Sequence, residues 1–270
     1  MSNKQCVCKG IRSCGRCDDR KPIETNTTNQ LYVYCGKCRD KAFVQSLVDH
    51  NQHQQHCMKS LTIDVDYVRI DGLYVVNDII SAEQELGLVD VIDGIEWCDS
   101  QSGRRKQDFG PKVNFKKQKV RINQFTGLPH FDVELMSQMK QSVTDKTVLN
   151  DFVAVEVCHL EYCPENGSSI DMHFDDTWLW GPRLVTVNLL SPTVLTLSKP
   201  SYDNITTDQF VIRVDLPQRS LVVVSGDARY VYQHAIARQD ITSRRIAITY
   251  RELSQEFLAG GQLYDSVGIT

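Results

Sequence analysis

From residue 183 to residue 251 the chain is written in short runs of alternating apolar and polar residues, with turn formers between them. The runs cover 183–190, 194–197, 210–216, 220–224 and 244–251, and Pro192, Pro200, Pro217 and Gly226 separate them. Period-two alternation gives a strand two unlike faces, and Pro or Gly ends a run before it grows long. Residues 152–162 read the same way, with Val153, Val155 and Val157 on one face. Shorter strands are expected at 31–34, 67–70 and 73–76, the last two around Asp71-Gly72. Helical spacing is confined to 81–92 and 132–141, and the first has Ser81 as N-cap with Gln84 three residues later. Helices followed by many short strands predict a helix-buttressed β-sandwich or jelly roll.

Composition narrows the class. With 41% hydrophobic and 24% charged residues in 270, the chain can bury a sizeable core, and wholesale disorder is excluded. Apolar runs are far shorter than the ~18 residues of a membrane helix. The opening MSNKQCVCKG has no apolar h-region, so neither membrane attachment nor a secretory signal is expected. A net charge of -4 argues against coating nucleic acid by overall charge, while leaving room for a local basic patch.

The ten cysteines are unevenly placed: Cys6, Cys8, Cys14, Cys17, Cys35, Cys38 and Cys57 precede residue 60, and only Cys98, Cys158 and Cys163 follow. This shift sets the expected boundaries: a Cys-rich N-terminal segment over 1–60, a main domain over 61–258 and a C-terminal tail over 259–270. In a reducing compartment such a cluster favours metal over disulfides. Cys6, Cys8, Cys14 and Cys17 offer four soft ligands for a structural zinc, with Cys35 and Cys38 as a competing pair. His50, His53, His56 and Cys57 are separated by glutamines and read as a polar loop.

A second set of ligands lies in the strand-rich half. His173 and Asp175 are two apart, so on a strand both face one side, and His234 is the one histidine that follows. Two imidazoles and a carboxylate form the facial triad of a non-haem Fe(II), zinc being the competing metal. Further on, Arg245, Ala247, Thr249 and Arg251 share one face of a strand, and Ile246, Ile248 and Tyr250 share the other. In water the arginines need no explanation. Inside a closed jelly roll they need an anion, and a dicarboxylate suits the guanidinium fork.

His173-x-Asp175, the distal His234 and Arg245-x₃-Thr249-x-Arg251, in that order, resemble the AlkB family of Fe(II)/2-oxoglutarate-dependent dioxygenases. Within it the chain is most similar to the homologue 4 branch, through CKGIR at 8–12, SQSGRRKQDFGPKVNFKKQK at 100–119, DDTWLWG at 175–181, SPTVL at 191–195 and YRELSQEF at 250–257. The resemblance spans almost the whole chain. It implies a double-stranded β-helix (jelly roll), iron held by His173, Asp175 and His234, and 2-oxoglutarate and O₂ as co-substrates. It also implies Arg245 on the distal carboxylate, Arg251 near the keto-acid end, Thr249 between them, and a hydrogen bond from Tyr162. Two positions depart from the family pattern, where asparagines often stand: Leu160 and Ala247. A co-substrate pocket with fewer polar contacts is therefore expected.

The chemistry the resemblance implies is oxidative N-demethylation with release of formaldehyde. For this branch the implied substrate is monomethyl-lysine on a protein such as actin, in cytoplasm and nucleus, with N6-methyladenine in DNA as the rival. A non-catalytic interaction protein is the reading from a different class. Candidate substrate contacts are Arg104, Arg105, Lys106 and Phe109, in a basic run over 104–121 that resembles the family's lid, and Trp178 and Trp180 beside the metal motif. Ordinary core packing and a solvated basic loop are the plain alternatives. Oligomeric state is not legible.

Overall fold

Strand β16 (Arg245–Leu253) is the central strand of a seven-stranded sheet and is buried along almost all of its length. Its neighbours are β11 (Trp180–Leu189) on one side and β9 (Glu156–Tyr162) on the other. β14 (Ser220–Val224) and β4 (Leu73–Val76) extend the sheet beyond β11, and β6 (Arg105–Phe109) and β5 (Cys98–Asp99) extend it beyond β9. The computed structural model describes residues 30–44, 67–121, 127–200 and 210–264.

A second seven-stranded sheet faces the first. Its order is β10 (Ile170–His173), β15 (Gln233–Ile236), β12 (Thr193–Ser198), β13 (Phe210–Leu216), β1 (Gln30–Tyr34), β2 (Lys41–Val44) and β3 (Tyr67–Arg69). One core fills the space between the sheets, with Leu197, Ile212 and Val214 meeting Leu184, Val222 and Ala247. The other lies on the far face of the first sheet, where Ile246, Ile248 and Tyr250 pack with Ile92, Leu135 and Met139 of helices α1 (Ala82–Asp93) and α2 (His130–Ser142). The jelly roll with helical buttress follows from burial at the centre of the first sheet: β14, β11 and β16 carry apolar residues on both faces, and each face needs a cover.

Local signals explain most boundaries. The Ser81 hydroxyl accepts from the Gln84 amide at 3.1 Å, and the Gln84 side chain accepts from the Ser81 amide at 2.8 Å, closing the expected capping box on α1. Gly72 has φ of 80°, and a Cβ there would lie 2.2 Å from the Ser225 carbonyl oxygen. This turn carries the chain from β3 in one sheet to β4 in the other, so these two strands, adjacent in sequence, do not pair.

Three expectations change. The strand predicted from 152 begins at Glu156; Val153 is exposed and lies in the connecting segment, where no ladder enforces alternation. α2 starts at His130, two residues early and without a side-chain cap. β1 and β2, on the N-terminal side of the boundary expected at residue 60, belong to the second sheet, because β1 pairs in parallel with β13. Residues 1–29 and 45–66, with Cys6, Cys8, Cys14, Cys17 and Cys57, lie outside the described residues.

Candidate metal and co-substrate site

Across the mouth between the sheets, His173 on β10 and His234 on β15 are direct cross-strand partners, with ring centres 4.4 Å apart. β10 ends at His173, so Asp175 reaches the pair from the following loop rather than from the shared strand face that the spacing predicts. Its Oδ2 lies 3.3 Å from His234 Nε2 and 3.9 Å from His173 Nε2. His173 Nδ1 donates to the Asp171 carbonyl at 2.7 Å, which leaves Nε2 with the lone pair a metal needs. The three ligand atoms fall within 4.8 Å of one another, and no other such group of three or more occurs among the described residues. Two imidazoles and one carboxylate, each slightly exposed, fit an Fe(II) that keeps coordination positions for a co-substrate.

Charge around Asp175 is tightly arranged. Burial alone would raise its pKa, but the Arg251 guanidinium and the two imidazoles outweigh this and hold it well below the carboxylate range. Arg251 Nε donates to Asp175 Oδ1 at 3.1 Å, and its Nη1 donates to Glu156 Oε2 at 2.7 Å. The backbone of the same loop is pinned by Arg229 of α3 (Gly226–Tyr230), which is 1% exposed. Its Nη1 donates to the Asp175 carbonyl at 3.1 Å and its Nη2 to the Trp180 carbonyl at 3.5 Å.

Register builds the rest of the site. β16, β9 and β6 are antiparallel neighbours, so inward residues form rows across the sheet. Arg245 pairs with Tyr162. Ala247, Leu160 and Lys106 form the next row, and Thr249, Cys158 and Asp108 the one after. Arg245 is 2% exposed, and its guanidinium carbon lies 4.7 Å from the Tyr162 ring centre. Its Nε donates to Asn188 Oδ1 at 2.5 Å, and the amide nitrogen of Asn188 is committed to the carbonyls of Ser191, Leu216 and Pro217. No carboxylate among the described residues pairs with Arg245, so this buried cation fits an anionic ligand. Thr249 Oγ1 bonds Thr186 Oγ1 at 3.1 Å on the same face.

The triad, buried arginine and jelly roll together agree with the relatives. Over 96% of this chain and 89% of its own length, the alpha-ketoglutarate-dependent dioxygenase alkB homolog 4 of Homo sapiens is 37% identical. A DNA N6-methyl adenine demethylase of Caenorhabditis elegans is 33% identical over 99% of this chain and 93% of its own length. The chain belongs to the AlkB family of Fe(II)/2-oxoglutarate-dependent dioxygenases. The solved structure of OsALKBH1 covers 69% of this chain at a TM-score of 0.50 and 11% identity, which speaks for the fold alone. No protein-family profile matches the chain. Family membership makes this chain an oxidative enzyme and removes the non-catalytic alternative.

The expected substrate contacts scatter. Residues 105–109 form a strand of the first sheet, where a basic loop was expected, so their side chains alternate. Arg104 and Lys106 share the inward side. Arg105 turns outward and donates to Glu161 Oε1 at 2.7 Å. Phe109 also turns outward, with its ring 5.2 Å from that of His159 under the helices, away from the metal. Trp180 is buried in β11 beneath Arg251, whose guanidinium carbon is 5.6 Å from its ring. Trp178 stays near the mouth, edge-on to Phe115 at 6.4 Å. Sequence reading missed Asn188, Arg229 and Glu156. Asn188 falls within an apolar run and Arg229 within a short mixed segment, and nothing in their spacing marks them.

Proposed function

We propose that this dioxygenase removes a methyl group from nitrogen, and that its substrate is monomethyl-lysine on a protein such as actin. The observation that supports this reading is the aromatic pair Trp178 and Phe115. Trp178 lies in the loop that carries Asp175, and Phe115 is exposed at the tip of the ribbon β7 (Lys112–Asn114) and β8 (Lys119–Arg121). Aromatic faces attract a methylammonium by cation–π interaction, and the net charge of -4 disfavours a polyanion. Bound iron with 2-oxoglutarate and O₂ supplies the oxidising power. The chain's part is to hold ligands and co-substrate in place and keep water from the reacting centre.

N6-methyladenine in DNA is the second reading. It is favoured by the printed name of the Caenorhabditis elegans relative and by the exposed Lys112, Lys117 and Lys119 on the ribbon. Iron-loaded protein incubated side by side with methylated actin peptide and methyladenine DNA, with formaldehyde and loss of methyl mass measured, separates the two. Turnover of the DNA alone would sink the protein reading. Work in cytoplasm and nucleus, which the resemblance implies, belongs to the same proposal.

A structural zinc held by Cys6, Cys8, Cys14 and Cys17 is part of the proposal. Among the described cysteines, the Cys38 amide donates to Cys35 Sγ at 3.4 Å in the turn between β1 and β2. Metal analysis of protein purified without added metal is expected to find zinc, lost on Cys14→Ser with Cys17→Ser. Intact protein without zinc would favour free thiols.

A further inference from the structure

Arg104 was expected to contact substrate from a basic run that resembles the family's lid, but it sits elsewhere. Arg105 is the register partner of Glu161, which sets Arg104 across from Tyr162 on one side, while Arg245 faces Tyr162 on the other. The three residues form one row across β6, β9 and β16. The guanidinium carbons of Arg104 and Arg245 lie 5.7 Å and 4.7 Å from the same phenol ring centre. Arg104 is 5% exposed and Arg245 2%.

Neither cation has a carboxylate partner among the described residues. Their neighbours do: Arg105 and Arg244 share Glu161, and Arg251 holds Asp175 and Glu156. Arg104 spends its Nε on the Gln101 carbonyl at 3.1 Å, and Arg245 spends its own on Asn188. Two adjacent buried like charges without a counter-ion are costly to the protein alone. The next row inward offers little help to an anion, since Leu160 and Ala247 carry no donor and the Lys106 ammonium is engaged by Asp108.

The position of Arg104 is also fixed in advance. Gly103 has φ of 71°, and a Cβ there would meet the Asn166 carbonyl oxygen at 2.3 Å. Ser168 Oγ donates to the Gly103 carbonyl at 2.7 Å, and the Ser169 amide donates to the Ser102 carbonyl at 3.1 Å. The turn before Arg104 is thus docked on the loop after Tyr162, leaving no lid-like freedom.

We propose that Arg104 is a second binding residue for the distal carboxylate of 2-oxoglutarate, acting with Arg245 across the Tyr162 ring. It supplies donors that Leu160 and Ala247 do not. The inference deepens the dioxygenase reading and rests on it.

The test compares 2-oxoglutarate with 2-oxobutanoate, which keeps the keto-acid end and lacks the distal carboxylate. Each is titrated calorimetrically into full-length protein loaded with Mn(II) under anaerobic conditions. Arg104→Gln is expected to weaken 2-oxoglutarate by about 10- to 100-fold, the worth of a hydrogen bond to a charged group, and to change 2-oxobutanoate by less than about twofold on the same reasoning. Arg104→Lys, which keeps charge and much of the packing, recovers part of the loss and serves if the Gln variant does not fold. Unchanged 2-oxoglutarate affinity, or equal losses for both acids, would overturn the proposal and leave Arg104 a packing residue on Tyr162. Wild-type protein that binds both acids equally would overturn the distal-carboxylate pocket itself, Arg245 included.

Discussion

Arg251 Nε points at Asp175 Oδ1 from 3.1 Å, and the same guanidinium reaches Glu156 from its other side. The resemblance placed Arg251 near the keto-acid end of the co-substrate; the structure adds that it grips a metal ligand. A carboxylate held by a buried cation keeps its charge and its angle, both of which the metal requires.

Two outcomes follow for the metal. His173→Ala, Asp175→Ala or His234→Ala is expected to abolish 2-oxoglutarate turnover and Mn(II) binding measured by electron paramagnetic resonance, since a missing ligand loses affinity and geometry together. Arg251→Gln is expected to weaken Mn(II) by about 10- to 100-fold, the usual effect of losing a ligand's supporting partner. Full Mn(II) affinity in that variant would confine Arg251 to the co-substrate.

Arg245→Ala is expected to raise the 2-oxoglutarate requirement by about 10- to 100-fold, from loss of a charge-assisted pair of about 1.5–3 kcal/mol. Arg245→Lys restores only part, because an ammonium cannot form the fork. Asn188→Ala tests the support: it frees Arg245 Nε and takes a donor from the carbonyls of Ser191, Leu216 and Pro217, of which Pro217 keeps Ser220, so it is expected to lower Tm as well as 2-oxoglutarate affinity. Superimposable titrations of wild type and Arg245→Ala would remove this residue from the pocket.

Arg229 is a positioning residue for the loop over 175–180, holding a carbonyl at each end. Arg229→Met fills much of the same space and removes both donors. It is expected to weaken Mn(II) by about tenfold and broaden the Mn(II) resonance, as Asp175 samples more than one angle. Arg229→Lys reaches one carbonyl and falls between. A lower Tm with wild-type Mn(II) affinity and line shape would make Arg229 merely structural.

The parts legible in the sequence were those written by period and type. Alternation along 245–251 told which residues share a face, and the inward set Arg245, Ala247, Thr249 and Arg251 is the one observed. What alternation cannot give is the neighbour. Whether Arg104 serves a lid or a pocket depends on β6 pairing with β9, a contact between residues 56 apart in the case of Arg105 and Glu161. The run over 104–106 looked uniformly basic, yet the pleat sends Arg105 to the outer face and its two flanking cations inward. Asn188 and Arg229 were hidden for a related reason: backbone carbonyls hold the Asn188 amide and receive both Arg229 donors, and carbonyls carry no sequence signature.

The outer face offers the pH prediction. Glu161 is 1% exposed, and burial would raise its pKa, but Arg105 and Arg244 outweigh burial and hold it below the ordinary value. Asp93 is also held low, chiefly by its hydrogen bond from Arg244, with Nη1 and Oδ2 2.8 Å apart. For a carboxyl whose folded pKa is depressed, the stabilisation is complete above the unfolded pKa and is lost as pH falls through the folded one. Stability from this cluster is therefore expected to be flat at neutral pH and to decline on acidification below the normal carboxylate range. Glu161→Gln removes its share at every pH: Tm at pH 7 is expected to fall by several degrees, for about 1–3 kcal/mol, and the acid decline is expected to become shallower. Both Arg105 and Arg244 are more than a third exposed, so high salt narrows the gap between variant and wild type. Parallel Tm-against-pH curves for the two proteins would show that Glu161 titrates alike folded and unfolded, and that the pair of arginines does not hold its charge.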